Sequence, residues 1–218
     1  MIVLGLTGSI GMGKSTAAAL LRRLGVPVHD ADASVHRLLG RNGAAVERVA
    51  AAFPGTGGAN GIDRAELGRR VFNDKAALRR LEQILHPLVR ADSERFLRRM
   101  GARRVPLVVL DISLLFESGG ERRCAAVIVV SAPSFLQRAR VLARPGMSES
   151  RLAAILAKQM PDREKRRRAD FIVPTGLGRR LTLRRLAEIV KMLSAQQSQH
   201  SRPRMARRRL PRRWGRHA

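Results

Sequence analysis

Short apolar runs alternate with amphipathic stretches along most of this chain. Ile2–Thr7 is a β-rich apolar run that stops at glycines, the pattern of a buried strand. From Lys14 to Leu24, the apolar residues Ala17, Leu20, Leu21 and Leu24 keep helical spacing, and Gly25 ends the helix. Val26-Pro27-Val28 predicts a second strand leading into His29-Asp30-Ala31-Asp32. Residues 33–104 read as helical, broken by the Gly-rich loop Pro54–Gly61. Val105–Asp111 and Ala125–Val130 predict a third and a fourth strand, and Phe171-Ile172-Val173 a fifth, stopped by Pro174. Residues 133–144, 148–159 and 162–169 predict three short helices, separated by Pro145-Gly146 and Pro161. A last helix spans Arg179–Leu193, with Leu183, Leu186, Val190 and Leu193 on one face. Beyond it the periodicity stops, and residues 194–218 read as a basic, disordered tail.

Strands alternating with helices predict an α/β fold with a five-stranded, mainly parallel sheet covered on both faces. The long helical stretch between the second and third strands then reads as an insertion at the carboxyl edge of the sheet, where ligands bind in such folds. A length of 218 residues suits one domain carrying such an insertion. With 44% hydrophobic residues the chain can build a core, which excludes a wholly disordered protein. No apolar run reaches the ~20 residues of a membrane span, and the first residues lack the basic region of a secretory signal. Cys124 is the single cysteine, so no internal disulfide can form, and a reducing compartment such as the cytoplasm is expected.

Charge changes the picture. There are 43 basic residues against 17 acidic, a net +26. Residues 191–218 hold 9 of the basic residues and no acid, so 34 basic residues against 17 acidic remain in residues 1–190. Such a field favours anionic ligands and attracts nucleic acid non-specifically. Biased arginine usage plus a basic tail accounts for the same number. Aromatic content of 3%, with no tyrosine, argues against a base-stacking platform.

The most specific signal is Gly8-Ser9-Ile10-Gly11-Met12-Gly13-Lys14-Ser15, which fits G-x-x-x-x-G-K-[ST] with a buried strand before it and an amphipathic helix after it. Glycines let the backbone wrap a phosphate with N–H groups inward, and the helix adds its positive end. Lys14 is expected at the β- and γ-phosphates and Ser15 at Mg²⁺. Asp111, closing a buried apolar strand, is a second candidate for Mg²⁺, directly or through water; a loop carboxylate or helix cap is the competing role. Asp30 and Asp32 follow the second strand, where a carboxylate can accept the proton of an attacking hydroxyl. Their spacing puts them on opposite sides if the strand continues. Asp32, nearer the following helix, is the choice, with a helix cap the alternative for either. Arg140 and Arg144 stand four apart on one predicted helix face, suited to charge stabilisation near phosphates or to a solvated surface. The helices after them read as a mobile lid.

Taken together, these residues resemble the dephospho-CoA kinase family. The matching stretches are Leu6–Thr16, Asp30-Ala31-Asp32, Arg69-Arg70-Val71-Phe72, His86-Pro87-Leu88-Val89, Asp111–Glu117, Gln137-x-x-Arg140-x-x-x-Arg144, Gln159-Met160-Pro161 with Lys165, and Ala169-Asp170. They cover residues 1 to about 190 in family order. The resemblance implies a P-loop three-layer sandwich with a core of 1–34, 105–137 and 169–193, a helical acceptor insertion at 35–104 and a lid at 138–168. It implies ATP-dependent phosphorylation of the ribose 3′-hydroxyl of dephospho-CoA, the last step of coenzyme A synthesis, with Mg²⁺. By the same resemblance Asp32 is the base, with Lys14 and Arg140 at the phosphates. Gly11, Met12, Gly13, Ser15, Thr16 and Arg144 hold nucleotide, and His86 and Leu114 lie by the acceptor. On composition alone His86 reads instead as a buried helix-start residue before Pro87. Four positions depart from the family's usual residues: Ser9 for Gly, Ser113 for Pro, Ile155 for Arg and Thr175 for Asn. Shikimate kinase and nucleoside monophosphate kinases share the loop, but roughly seventy inserted residues suit a larger acceptor. An ATP-driven nucleic-acid binder is the rival from another class, without zinc spacing or an RNA-binding signature to support it. The expected protein is a monomer acting on a small molecule, with no specific nucleic-acid partner and no membrane.

Overall fold

The computed structural model describes residues 1–72 and 74–200, with side chains through Ala195. In chain order the elements are β1 (Ile2–Thr7), α1 (Lys14–Arg23), β2 (Val28–Asp30), α2 (Ala31–Leu39), α3 (Val46–Ala52), β3 (Gly57–Gly58), β4 (Gly61–Ile62), α4 (Arg64–Phe72) and α5 (Lys75–Ala102). Then come β5 (Leu107–Asp111), a 3₁₀ turn at Gly120–Arg123, β6 (Ala126–Ser131), α6 (Ser134–Leu142), α7 (Glu149–Ala157), α8 (Asp162–Arg168), β7 (Phe171–Pro174) and α9 (Arg179–His200). They fall into two compact units, Met1–His29 with Gly101 onward, and Asp30–Met100.

The first unit is built on a five-stranded parallel sheet of order β2-β5-β1-β6-β7. Every residue of β5 and of β6 is buried, as expected of strands covered on both faces. Alternate residues serve opposite faces. Leu4, Leu6, Leu107, Val109, Ile128 and Val130 pack with Ala17, Ala18 and Leu21 of α1 and Leu186 and Ile189 of α9. Val127 and Val129 pack on the other side with Leu115 and Phe116. At ~1.5–3 kcal/mol for each fully buried aliphatic side chain, these two faces supply the main force holding the unit together. The register Leu6↔Asp111 sets the carboxyl ends of β1 and β5 side by side.

The second unit has its own core of Leu39, Val49, Phe53, Ile62, Leu67, Leu81, Ile84 and Leu85, drawn from α2 to α5. Where a plain Gly-rich loop is expected, β3 and β4 form a small antiparallel hairpin.

Several boundaries differ from the sequence reading, each for a local reason. The second strand lies two residues later, because Pro27 contributes only its carbonyl, which accepts from Val109 N at 2.9 Å. It stops at Asp30, so Asp32 lies in the first turn of α2 and not on a continuing strand. Helix α5 runs straight through Pro87, so His86 is exposed in mid-helix rather than buried at a helix start. Ile84, Leu85 and Leu88 pack into the core on either side, and the carbonyl that Pro87 cannot bond belongs to Gln83, an exposed residue. Helix α9 continues seven residues past Leu193, to His200, carried by Ala195 and the glutamines as good helix formers. The rest of the expected tail lies outside the described residues.

Candidate active site

All of the following lies in the first unit unless stated. The loop between β1 and α1 is Gly8–Gly13, and α1 opens at Lys14. Gly11 and Gly13 hold φ of 76° and 85°, the left-handed region that favours glycine. Gly13 is the N-cap, and having no side chain it leaves the first-turn amides uncapped; the helical ladder begins with Ala17 N donating to Gly13 O at 3.0 Å. Uncapped amides at a helix start are a site for a phosphate. Ser15 is exposed in this first turn and Thr16 is half-buried beside it.

Lys14 Nζ donates to Asp111 Oδ1 at 2.7 Å. The Asp111 side chain is 2% exposed and that of Lys14 13%. The acidic end of β5 therefore meets the first residue of α1, which the β1–β5 register makes possible.

Four side chains from distant parts of the chain hold the loop in shape. Gln137 Nε2 donates to Ile10 O at 2.8 Å, and Ile10 N donates to Gln159 Oε1 at 3.0 Å. Thr175 Oγ1 donates to Met12 O at 2.7 Å. Arg140 donates to Thr175 O at 2.7 Å and, more weakly, to Gly11 O at 3.4 Å. The loop also packs tightly: a Cβ on Gly11 would come within 2.6 Å of Val141 Cγ2, and one on Gly13 within 3.1 Å of Thr175 Oγ1.

The Asp111–Glu117 segment is tied to α8. Lys165 is fully buried and its Nζ lies 2.9 Å from Glu117 Oε1, which also accepts from Met160 N at 2.8 Å. Burial alone would raise the Glu117 carboxyl, but the Lys165 ammonium and the Met160 amide outweigh it and hold the group below its ordinary value. Ser113 O accepts from Thr7 Oγ1 at 3.1 Å and from Lys165 Nζ at 3.4 Å. A carbonyl is supplied by serine and proline alike, so the departure at Ser113 leaves this anchor intact. Asp162 Oδ2 accepts from Ser131 Oγ at 2.8 Å, fixing the start of α8 to the end of β6.

Arg140 and Arg144 do not share a helix face. Helix α6 ends at Leu142, and Arg144 follows the C-cap residue Ala143, exposed; Pro145 disfavours helical backbone in the residue before it. Leu114 is among the exposed large apolar side chains.

In the second unit, Asp30 is the N-cap of α2, its Oδ1 accepting from Ala33 N at 2.9 Å. Asp32 is exposed in the first turn of that helix. The helix is fastened to α5 by Ser34 Oγ, which donates to Asp92 Oδ2 at 2.6 Å, and by Arg37, which donates to the same oxygen at 2.7 Å. His86 is exposed on α5.

Loop, Lys14, Asp111 and Arg140 thus come together in the first unit. Of their supports, Gln137 and Gln159 stand in stretches that match the family, though neither stretch signals a bond to the loop backbone, while Thr175 is a departure from the family's usual residue. Only the position of Thr175 directly after a strand end, on the same sheet edge as the loop, signals its part. Chemically the assembly can bind a polyphosphate on backbone amides and one ammonium. For Mg²⁺ the donors at hand are one hydroxyl and one carboxylate, Ser15 and Asp111, a hard-oxygen set that suits an ion keeping several waters and phosphate ligands. Among the described residues no cluster of three or more His, Cys, Asp or Glu stands ready for any other metal.

Comparison with known proteins points one way. A sequence model for dephospho-CoA kinase matches residues 2–176. The chain is similar to a dephospho-CoA kinase of Paramagnetospirillum magneticum, 67% identical over 166 residues, 76% of this chain and 78% of that one. It is 61% identical to a dephospho-CoA kinase of Rhodospirillum rubrum over 186 residues, 85% of this chain and 88% of that one. Among solved structures it resembles TT1252 from Thermus thermophilus, with a TM-score of 0.78 and 40% identity, over 88% of this chain and 96% of that one.

Proposed function

We propose a catalytic arrangement for this chain, which belongs to the dephospho-CoA kinase family. The chain transfers the terminal phosphoryl group of ATP to the ribose 3′-hydroxyl of dephospho-CoA, giving coenzyme A and ADP. Gly11, Met12, Gly13, Ser15 and Thr16 hold the ATP phosphates through backbone amides, and Lys14 neutralises charge on the β- and γ-oxygens. The loop's left-handed glycines and the uncapped start of α1 support this. Arg140 stabilises the charge that develops in transfer, supported by its seat against Gly11 and Thr175; Arg144 adds a contact to nucleotide. Ser15 and Asp111 would hold Mg²⁺, which supplies further charge neutralisation on the phosphates.

Asp32 orients the 3′-hydroxyl and takes its proton. The support is the Asp-x-Asp motif together with the fate of its partner: Asp30 spends its carboxylate on the helix cap, so the role of base falls to Asp32. His86 and Leu114 lie by the acceptor, and the helical insertion of residues 35–104 receives it while part of residues 138–168 acts as a lid. Because phosphoryl transfer needs little covalent help, positioning and charge carry most of the rate. The chain acts as a cytoplasmic monomer; the single cysteine, Cys124, supports the reducing compartment. Among the described residues no helix is long and apolar enough to cross a membrane.

The single observation that carries this reading is the Lys14–Asp111 pair beneath an uncapped helix start inside a family match. ADP release measured against a panel of alcohols tests it. Dephospho-CoA is expected to be turned over far above shikimate, nucleoside monophosphates and water; equal rates on all of them would refute the acceptor assignment.

A further inference from the structure

Ile10 is gripped on both sides by amide side chains. Gln137, on α6, bonds its carbonyl, and Gln159, at the corner between α7 and α8, bonds its N–H. Only an acceptor can take that N–H, so the contact fixes Gln159 with its oxygen toward the loop. The corner that carries Gln159 is itself seated by Glu117, whose carboxylate accepts from Met160 N and pairs with the buried Lys165. Glu117 lies six residues beyond Asp111, so one segment of chain carries both the partner of Lys14 and the anchor of Gln159.

We propose that Gln159 is a positioning residue for the nucleotide, acting through the Ile10 peptide to hold the phosphate loop in its binding shape. The inference rests on the reading of Gly8–Ser15 as the ATP loop. With Gln159 in place the Ile10 N–H points into the protein, and Gly11 takes up its left-handed φ of 76° against α6. Without it, a polar backbone group in a tightly packed turn loses its partner, and the Ser9–Ile10 peptide is left to the 3.1 Å bond from Met12 N to Ser9 O, which loosens the amide cradle before any ligand arrives. The coupling also limits what can move in the lid. Residues 159–168 are fastened to the core through Gln159, Lys165 and Asp162.

Gln159→Leu and Gln159→Glu separate this role from simple packing. Leucine keeps the volume and removes the acceptor, while glutamate keeps an acceptor oxygen at the same reach. ADP affinity by calorimetry is expected to weaken about tenfold or more in Q159L. Its KM for ATP rises in step, and its KM for dephospho-CoA stays within about twofold of wild type. Q159E is expected to recover most of the loss. In amide hydrogen exchange, Ile10 is slow in wild type and Q159E and fast in Q159L. Wild-type ADP affinity in Q159L, an equal rise in both KM values, or Q159E as weak as Q159L would each overturn the proposal. A wild-type protein that fails to bind ADP at all would overturn the nucleotide reading beneath it as well.

Discussion

Lys14 and Asp111 form a 2.7 Å ion pair between the first residue of α1 and the last residue of β5. With the carboxylate 2% exposed, the pair is nearly closed to water. Such a pair is costly to break from one side, because the remaining charge stays buried, yet cheap to replace as a whole. Lys14→Met is therefore expected to lose both stability, by ~3–5 kcal/mol, and turnover, by ~10²–10³-fold. The double variant K14M/D111L should regain much of the stability and none of the turnover. Thermal melts beside kinetic assays check this; recovery of turnover in the double variant would deny Lys14 its role.

The two aspartates after β2 are expected to fail differently. Asp30→Ala removes the α2 cap and costs ~1 kcal/mol of stability, while Asp30→Ser, another capping residue, costs little. Asp32→Ala should leave the melting curve and ADP affinity in place and lower turnover by ~10²–10⁴-fold. Equal kinetic losses at the two positions would mean that the motif acts as a unit and not through Asp32.

Thr175 stands behind the loop. Its hydroxyl donates to Met12 O and its own carbonyl accepts from Arg140, so one residue joins the end of β7, the loop and α6. Thr175→Val leaves Met12 O without that donor and is expected to cost ~1–3 kcal/mol, with weaker ADP binding. Thr175→Ser should behave like wild type in both measurements.

Glu117 gives the fold an acid limit. Its carboxyl is held below the ordinary value of 4.5 in the folded chain. A lowered folded value means stabilisation that is complete above about 4.5 and fades as pH falls through the folded value. Glu117→Gln is expected to remove that dependence and to cost on the order of 2–3 kcal/mol at neutral pH, less than a fully buried pair because Glu117 keeps some contact with water. Melting temperatures of the two proteins between pH 3 and 7 are expected to differ most at neutrality and to converge in acid; a constant gap would assign the effect to packing.

Much of this was legible in the sequence because it is local. Three unbroken apolar runs, at Ile2–Thr7, Leu107–Asp111 and Ala126–Ser131, are strands covered on both faces, and the glycine spacing before Lys14 can serve little else. What sequence alone misjudged depends on tertiary packing. Pro87 sits inside a helix because the core residues around it hold the helix together, and a propensity argument sees only the lost N–H. Arg140 looked like one of a pair on a helix face; its partners are instead backbone carbonyls of Gly11 and Thr175, separated from it by 129 and 35 residues. The capping role of Asp30 was one of two choices for either aspartate, and only the point where β2 gives way to α2 decides between them.

Phosphorus NMR of a mixture of this chain, ATP, Mg²⁺ and dephospho-CoA tests the central claim most directly. A new phosphomonoester resonance on the ribose 3′-oxygen, growing in step with ADP and absent with a 3′-deoxy acceptor, is the predicted result. ADP formed without that resonance, or phosphate placed on any other oxygen, would contradict it.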